Sequence, residues 1–87
     1  MLDKDREDER VIIKTKCRLD IKGTKYDGIV DNISTLGASV EINASIKNKI
    51  RIGDTGALYV LLLSTIKYLF KVVRIDTKNI GLQFIGH

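Results

Sequence analysis

From Val11 to Ile21 the chain alternates. Val11, Ile13, Thr15, Cys17, Leu19 and Ile21 occupy odd positions, while Lys14, Lys16, Arg18, Asp20 and Lys22 occupy even ones. A period of two puts one set of side chains on each face of an extended strand. A half-buried strand is therefore expected here, with Ile12 breaking the pattern at its start. Lys22-Gly23-Thr24-Lys25 reads as a turn, with Gly23 supplying backbone freedom. Tyr26 to Ile33 is a second strand, completing a hairpin. Ser34-Thr35-Leu36-Gly37 breaks the pattern. Ala38, Val40 and Ile42 then alternate with Ser39, Glu41 and Asn43 in a third strand.

Residues 44–56 are less regular. Asn43-Ala44-Ser45 and Arg51-Ile52-Gly53-Asp54 read as turns, with Ile46, Ile50 and Ile52 as anchors. Ala57 to Leu63 is apolar on both faces, as in a central strand, and Ile66 to Ile75 forms a fifth strand. Asp76-Thr77-Lys78-Asn79 is a turn, and Ile80, Leu82 and Phe84 alternate with Gly81, Gln83 and Ile85 in a sixth strand. No segment sustains a 3.6-residue apolar period. Six closely spaced strands without a helical crossover predict an all-β, small six-stranded antiparallel sandwich or barrel. Closure removes exposed edges and gives a chain this short one core.

Charge divides the chain. Residues 1–10 carry Lys4, Arg6 and Arg10 against Asp3, Asp5, Glu7, Asp8 and Glu9, a balance of −2 within a total of +4. Their only apolar groups are Met1 and Leu2, so they are expected to form a flexible arm ahead of a single domain over 11–87. One Cys and one His exclude an internal disulfide and a zinc site. The longest apolar run, Ala57 to Leu63, is far short of a membrane span, and the start lacks an apolar signal segment. A cytoplasmic setting is expected. With 87 residues and no nucleophile–base pair or phosphate-cradling glycine loop, the chain is not expected to be an enzyme.

Two short patterns carry candidate chemistry. The first is Arg6-Glu7-Asp8-Glu9-Arg10, ahead of the first strand; the second is Asn32-Ile33-Ser34-Thr35-Leu36-Gly37, where a strand ends. Taken singly, the first reads as a solvated charge cluster. The second reads as a β-turn in which Asn32 and Ser34 bond to backbone and Gly37 takes a positive φ.

Taken together, in this order and on this layout, they resemble the PilZ domain, the bacterial cyclic di-GMP receptor module. Its pattern is Arg-x-x-x-Arg, a strand pair, then Asp/Asn-x-Ser-x-x-Gly. Ala38-Ser39-Val40-Glu41-Ile42 after the motif, Ile52-Gly53-Asp54 ahead of the fourth strand and Ile80-Gly81-Leu82-Gln83-Phe84 at the close are also similar to the family. The resemblance implies a split-barrel fold and a non-catalytic receptor holding cyclic di-GMP through Arg6, Arg10, Asn32, Ser34 and Gly37, with no further cofactor. Arginine suits such a ligand because its planar fork bonds phosphates or a guanine edge and stacks on purines. Asn32 offers both a donor and an acceptor to a guanine edge, and Ser34 adds a hydroxyl. Gly37 leaves room for a turn and for close approach of ligand or arm. Asp5 occupies the place where many relatives carry another Arg, so one ligand per protomer and modest affinity are expected.

The resemblance further implies that Arg6 and Arg10 close over the ligand, and that the ordered arm signals to a separate partner protein. Two other functions compete. A basic barrel with the row Lys14, Lys16, Arg18 and Lys22 suggests RNA or DNA binding, opposed by the acidic arm. A PilZ-like interaction module without nucleotide binding is the other.

Overall fold

The computed structural model describes residues 11–61 and 65–86. The expected arm, with Arg6 and Arg10, lies outside them.

Six strands form one closed barrel: β1 (Val11–Ile21), β2 (Thr24–Ile33), β3 (Gly37–Glu41), β4 (Thr55–Leu61), β5 (Thr65–Ile75) and β6 (Asn79–Phe84). Around the wall the order is β1-β2-β3-β6-β5-β4, with β4 returning to β1 and every pair antiparallel. The all-β barrel expected from the alternation is therefore the fold.

The β1–β2 turn is tighter than the sequence pattern implied. Only Lys22 and Gly23 make it, both at positive φ (55° and 82°), which matches the right-handed twist of a hairpin. Asn43-Ala44-Ser45 is not a turn but the start of a one-turn helix, α1 (Ala44–Lys47). The Asn43 side chain accepts from the Ser45 amide at 2.9 Å, satisfying a donor that the helix itself leaves unpaired. So short a helix has no 3.6-residue period to read.

Inward residues of all six strands make the core. Phe70, Leu19, Leu58, Ile80, Val30, Val40, Val60 and Val72 are fully buried, and Ile42 and Ile50 join them from the segment around α1. The Ile52-Gly53-Asp54 corner is pinned to β5: the Gly53 amide donates to the Val72 carbonyl, and the Val72 amide donates to the Asp54 carbonyl, each at 2.8 Å.

Three strands depart from strict alternation, at two places in the barrel wall. On β2, Val30 pairs with Val40 and Asn32 with Ser39, leaving Asp31 as the extra residue; β1 is irregular at the same level, between Ile12 and Thr15. On β5, Val72 pairs with Leu82 and Arg74 with Gly81, leaving Val73 extra. An extra residue resets which face the following side chains take.

Candidate functional site

Val30 points inward and Ile33 packs against the core, so Asp31 and Asn32 both fall on the outer face between them. Val72 and Ile75 stand in the same relation on β5, and Val73 and Arg74 are both exposed. Unbroken alternation would have turned Asn32 and Arg74 inward. The bulges turn both outward.

They also align them. Asn32 pairs with Ser39, Ser39 with Gly81 and Gly81 with Arg74, one row crossing β2, β3, β6 and β5. Three inter-strand steps put about 14 Å between the row's ends. Its middle is made of two small residues, so the barrel wall carries a shallow trough there. The trough has a volume of about 240 Å³, and its lining includes Ser34, Gly37, Ser39, Arg74, Gly81 and Gln83.

Each member is held. The Ser34 hydroxyl accepts from the Leu36 amide at 3.1 Å, and the Ser34 amide donates to the Gly37 carbonyl at 2.8 Å. Ser34 thus shapes its own turn, as the isolated β-turn reading expected. Ser39 is buried although it faces outward, and its hydroxyl accepts from Asn79 Nδ2 at 3.2 Å. Arg74 Nε donates to Asp76 Oδ2 at 2.6 Å, and both side chains are about half exposed. Beside Asn32, Lys14 pairs with Asp31 at 2.6 Å. That hydrogen bond and the Asp31 charge raise the Lys14 ammonium above its usual range.

Gly37 departs from expectation. It does not take a positive φ; the glycines that do are Gly23, Gly53 and Gly86. Gly37 is instead the first residue of β3, paired with Gln83, and a methyl group there would collide with the Leu82 carbonyl oxygen. The close approach it permits in the barrel is that of β6.

Of the five residues expected at the site, Asn32, Ser34 and Gly37 lie together at this edge of β2 and β3; Arg6 and Arg10 lie outside the described residues. Sequence reasoning missed Ser39, Gly81 and Arg74. A signal was present: Val30 with Ile33, and Val72 with Ile75, are inward-facing pairs spaced by three instead of two or four. A larger groove, about 570 Å³, lies elsewhere, over Lys16, Arg18 and Ile29. It contains none of the motif residues, and its Arg18 faces Asp27 at 3.6 Å.

Among the described residues no cluster of His, Cys, Asp and Glu could hold a metal, and no helix is long and apolar enough to cross a membrane. Burial pushes the Cys17 thiol up to about 12, with the Asp27 charge adding, so it is protonated at neutral pH and a poor nucleophile.

Fold and site together define a small closed β-barrel with a polar trough on its outer wall. The chain belongs to the PilZ domain family, whose family model matches residues 4–87. PilZ domains are generally non-catalytic receptors for cyclic di-GMP. No curated protein matches the chain.

Proposed function

We propose that this PilZ domain is a non-catalytic receptor for cyclic di-GMP, taking one molecule per protomer. The ligand lies on the outer wall against Asn32, Ser34 and Gly37, with Arg6 and Arg10 closing over it. Ordering of that arm is the signal read by a partner protein.

The observation that carries the reading is the bulge at Asp31 in a PilZ family member. It turns Asn32 out of the core, next to the Ser34–Gly37 turn, on a wall whose neighbouring residues are too small to obstruct a planar ligand. A carboxamide there can both donate to and accept from a guanine edge.

The charge layout counts against a polyanion. Lys14, Arg18 and Lys22 of the basic row face Asp31, Asp27 and Asp54, and Lys25 faces Asp20. Cations already paired release fewer counterions when a phosphate backbone approaches.

Calorimetric titration with cyclic di-GMP tests the proposal. Charge-assisted hydrogen bonds contribute about 1.5–3 kcal/mol each, so Arg6→Ala and Arg10→Ala should each weaken binding by about tenfold to a hundredfold. Backbone amides of residues 4–10 should lose mobility on saturation. Absence of binding by the wild type, or salt-sensitive RNA or DNA binding in its place, would refute the receptor reading; a stoichiometry of two would refute the single site.

A further inference from the structure

The arm poses an electrostatic problem. It carries the carboxylates of Asp3, Asp5, Glu7, Asp8 and Glu9, and the ligand it closes over carries two phosphates. Closure needs a place that takes carboxylates and keeps them off the ligand. The wall beside the trough has one.

Four exposed positions alternate along β5: Val73, Lys71, Leu69 and Lys67. Val73 lines the trough. Leu69 and Lys67 line a separate groove of about 510 Å³, with Thr35, Phe84 and Ile85. Lys71 lies between the two hollows, paired with Gln83 of the trough. The lip of the groove is apolar and open: Leu36 is 67% exposed, Leu69 49% and Ile85 38%. The Phe84 amide donates to the Leu36 carbonyl at 2.8 Å and the Ile85 amide to the Leu69 carbonyl at 2.9 Å, which makes the three neighbours. Behind them the Tyr68 and Phe84 rings stack at 4.4 Å. Lys14, Lys22 and Lys25 face Asp31, Asp54 and Asp20. Lys67 and Lys71, by contrast, have no ion-pair partner among the described residues. Lys67 lies over the Tyr59 ring, 5.9 Å from its centre.

An occupant of this groove is apolar at one point and acidic beside it. A second copy of the barrel suits it badly, because an isologous contact brings the same cations to the same face. The end of the arm suits it well: Met1 and Leu2 are apolar, and Asp3 and Asp5 follow. The arm also reaches. It joins β1 at Val11, which pairs with Ile33 beside the motif turn. With Arg6 over the trough, Leu2 is four residues on, about 13 Å of extended chain. Lys71 is two inter-strand steps from Gly37, about 10 Å, and Leu69, two residues along β5, is about 12 Å away.

We propose that this groove is the landing site of the arm's N-terminal end: when the ligand draws Arg6 and Arg10 over the trough, Leu2 settles beside Leu69 and Ile85, and Asp3 and Asp5 turn to Lys71 and Lys67. This rests on the cyclic di-GMP reading and adds to it a barrel surface that holds the closed arm without touching the ligand.

The test is titration of the full chain with cyclic di-GMP, followed by calorimetry and by the methyl resonances of Leu and Ile, with thermal melts to verify folding. The Leu69 and Ile85 methyls should shift on saturation of the wild type and stay still in Leu2→Ser, which should bind about fivefold more weakly. Asp3→Asn combined with Asp5→Asn should weaken binding by about twofold to fivefold, and Lys71→Ala should do the same. Adding the Asn pair to Lys71→Ala should then cost little more, since the partners are already parted. The sign is decisive: carboxylates that only repel the ligand would make the Asn pair bind more tightly. Tighter binding by that variant, or still Leu69 and Ile85 methyls in a wild type that binds, overturns the landing site and leaves the receptor reading standing. Methyl shifts that follow protein concentration instead of ligand put a second copy in the groove and overturn it too. No wild-type binding overturns both.

Discussion

The trough and the Gly53–Asp54 corner are made of the same materials: a glycine, a carboxylate and a cation. In the corner, Asp54 is 9% exposed, its Oδ2 accepting from the Arg51 amide at 3.0 Å and its Oδ1 facing Lys22 at 3.2 Å. That pair ties the β1–β2 hairpin to the entry of β4. In the trough, Arg74 and Asp76 are two residues apart and half exposed. Their pair links nothing distant and instead aims one side chain. Burial separates the two uses: a shielded carboxylate with several partners supports the fold, whereas a solvated pair contributes little stability and leaves a group available to a ligand.

Substitutions can break this comparison. The largest effect is expected where the trough itself depends on backbone contact. Gly37→Ala drives a methyl group into the Leu82 carbonyl, and overpacking of this kind costs about 1–3 kcal/mol or more. Its denaturation midpoint should fall clearly below that of the wild type; an unchanged midpoint would mean that β3 and β6 do not approach this closely.

Asn32→Ala sharpens the contrast from the other side. It should leave the melting temperature nearly unchanged and weaken cyclic di-GMP binding by about tenfold, the loss of one or two hydrogen bonds of about 1 kcal/mol each. A stability loss larger than the binding loss would move Asn32 from the ligand side of the comparison to the fold side.

The smallest effect is a pH dependence at the corner. The Arg51 amide holds the Asp54 carboxyl below its usual range, Lys22 and the Arg51 charge add to this, and burial opposes it. A lowered folded-state value means stabilisation that is present above the ordinary carboxylate value of about 4 and lost as pH falls through the folded one. Asp54→Asn should therefore melt below the wild type at neutral pH, with the gap closing in acid. A gap that persists unchanged below pH 4 would show that shape, not ionisation, is what Asp54 supplies.

The site's position was only partly legible in the chain. Asn32, Ser34 and Gly37 were visible as a motif, but the reason for Gly37 was not: the atom it avoids belongs to Leu82, forty-five residues on. Arg74 carried no such motif signal: alternation counted from Phe70 and Val72 assigns it to the core face, and only the bulge at Val73 turns it outward.

The sequence by itself determined that six strands follow one another, where most of the turns between them fall, that one cysteine cannot close an internal disulfide, and how unevenly the charge is placed. All of these are local properties, set by side-chain period, turn residues and composition. Only the tertiary structure decided that β3 pairs with β6, that β4 closes onto β1, and that Asn32 and Arg74 end one outward row over Ser39 and Gly81. A bulge exists only relative to the partner strand's register. Closure brings those partners together from distant parts of the chain, where no local period reaches.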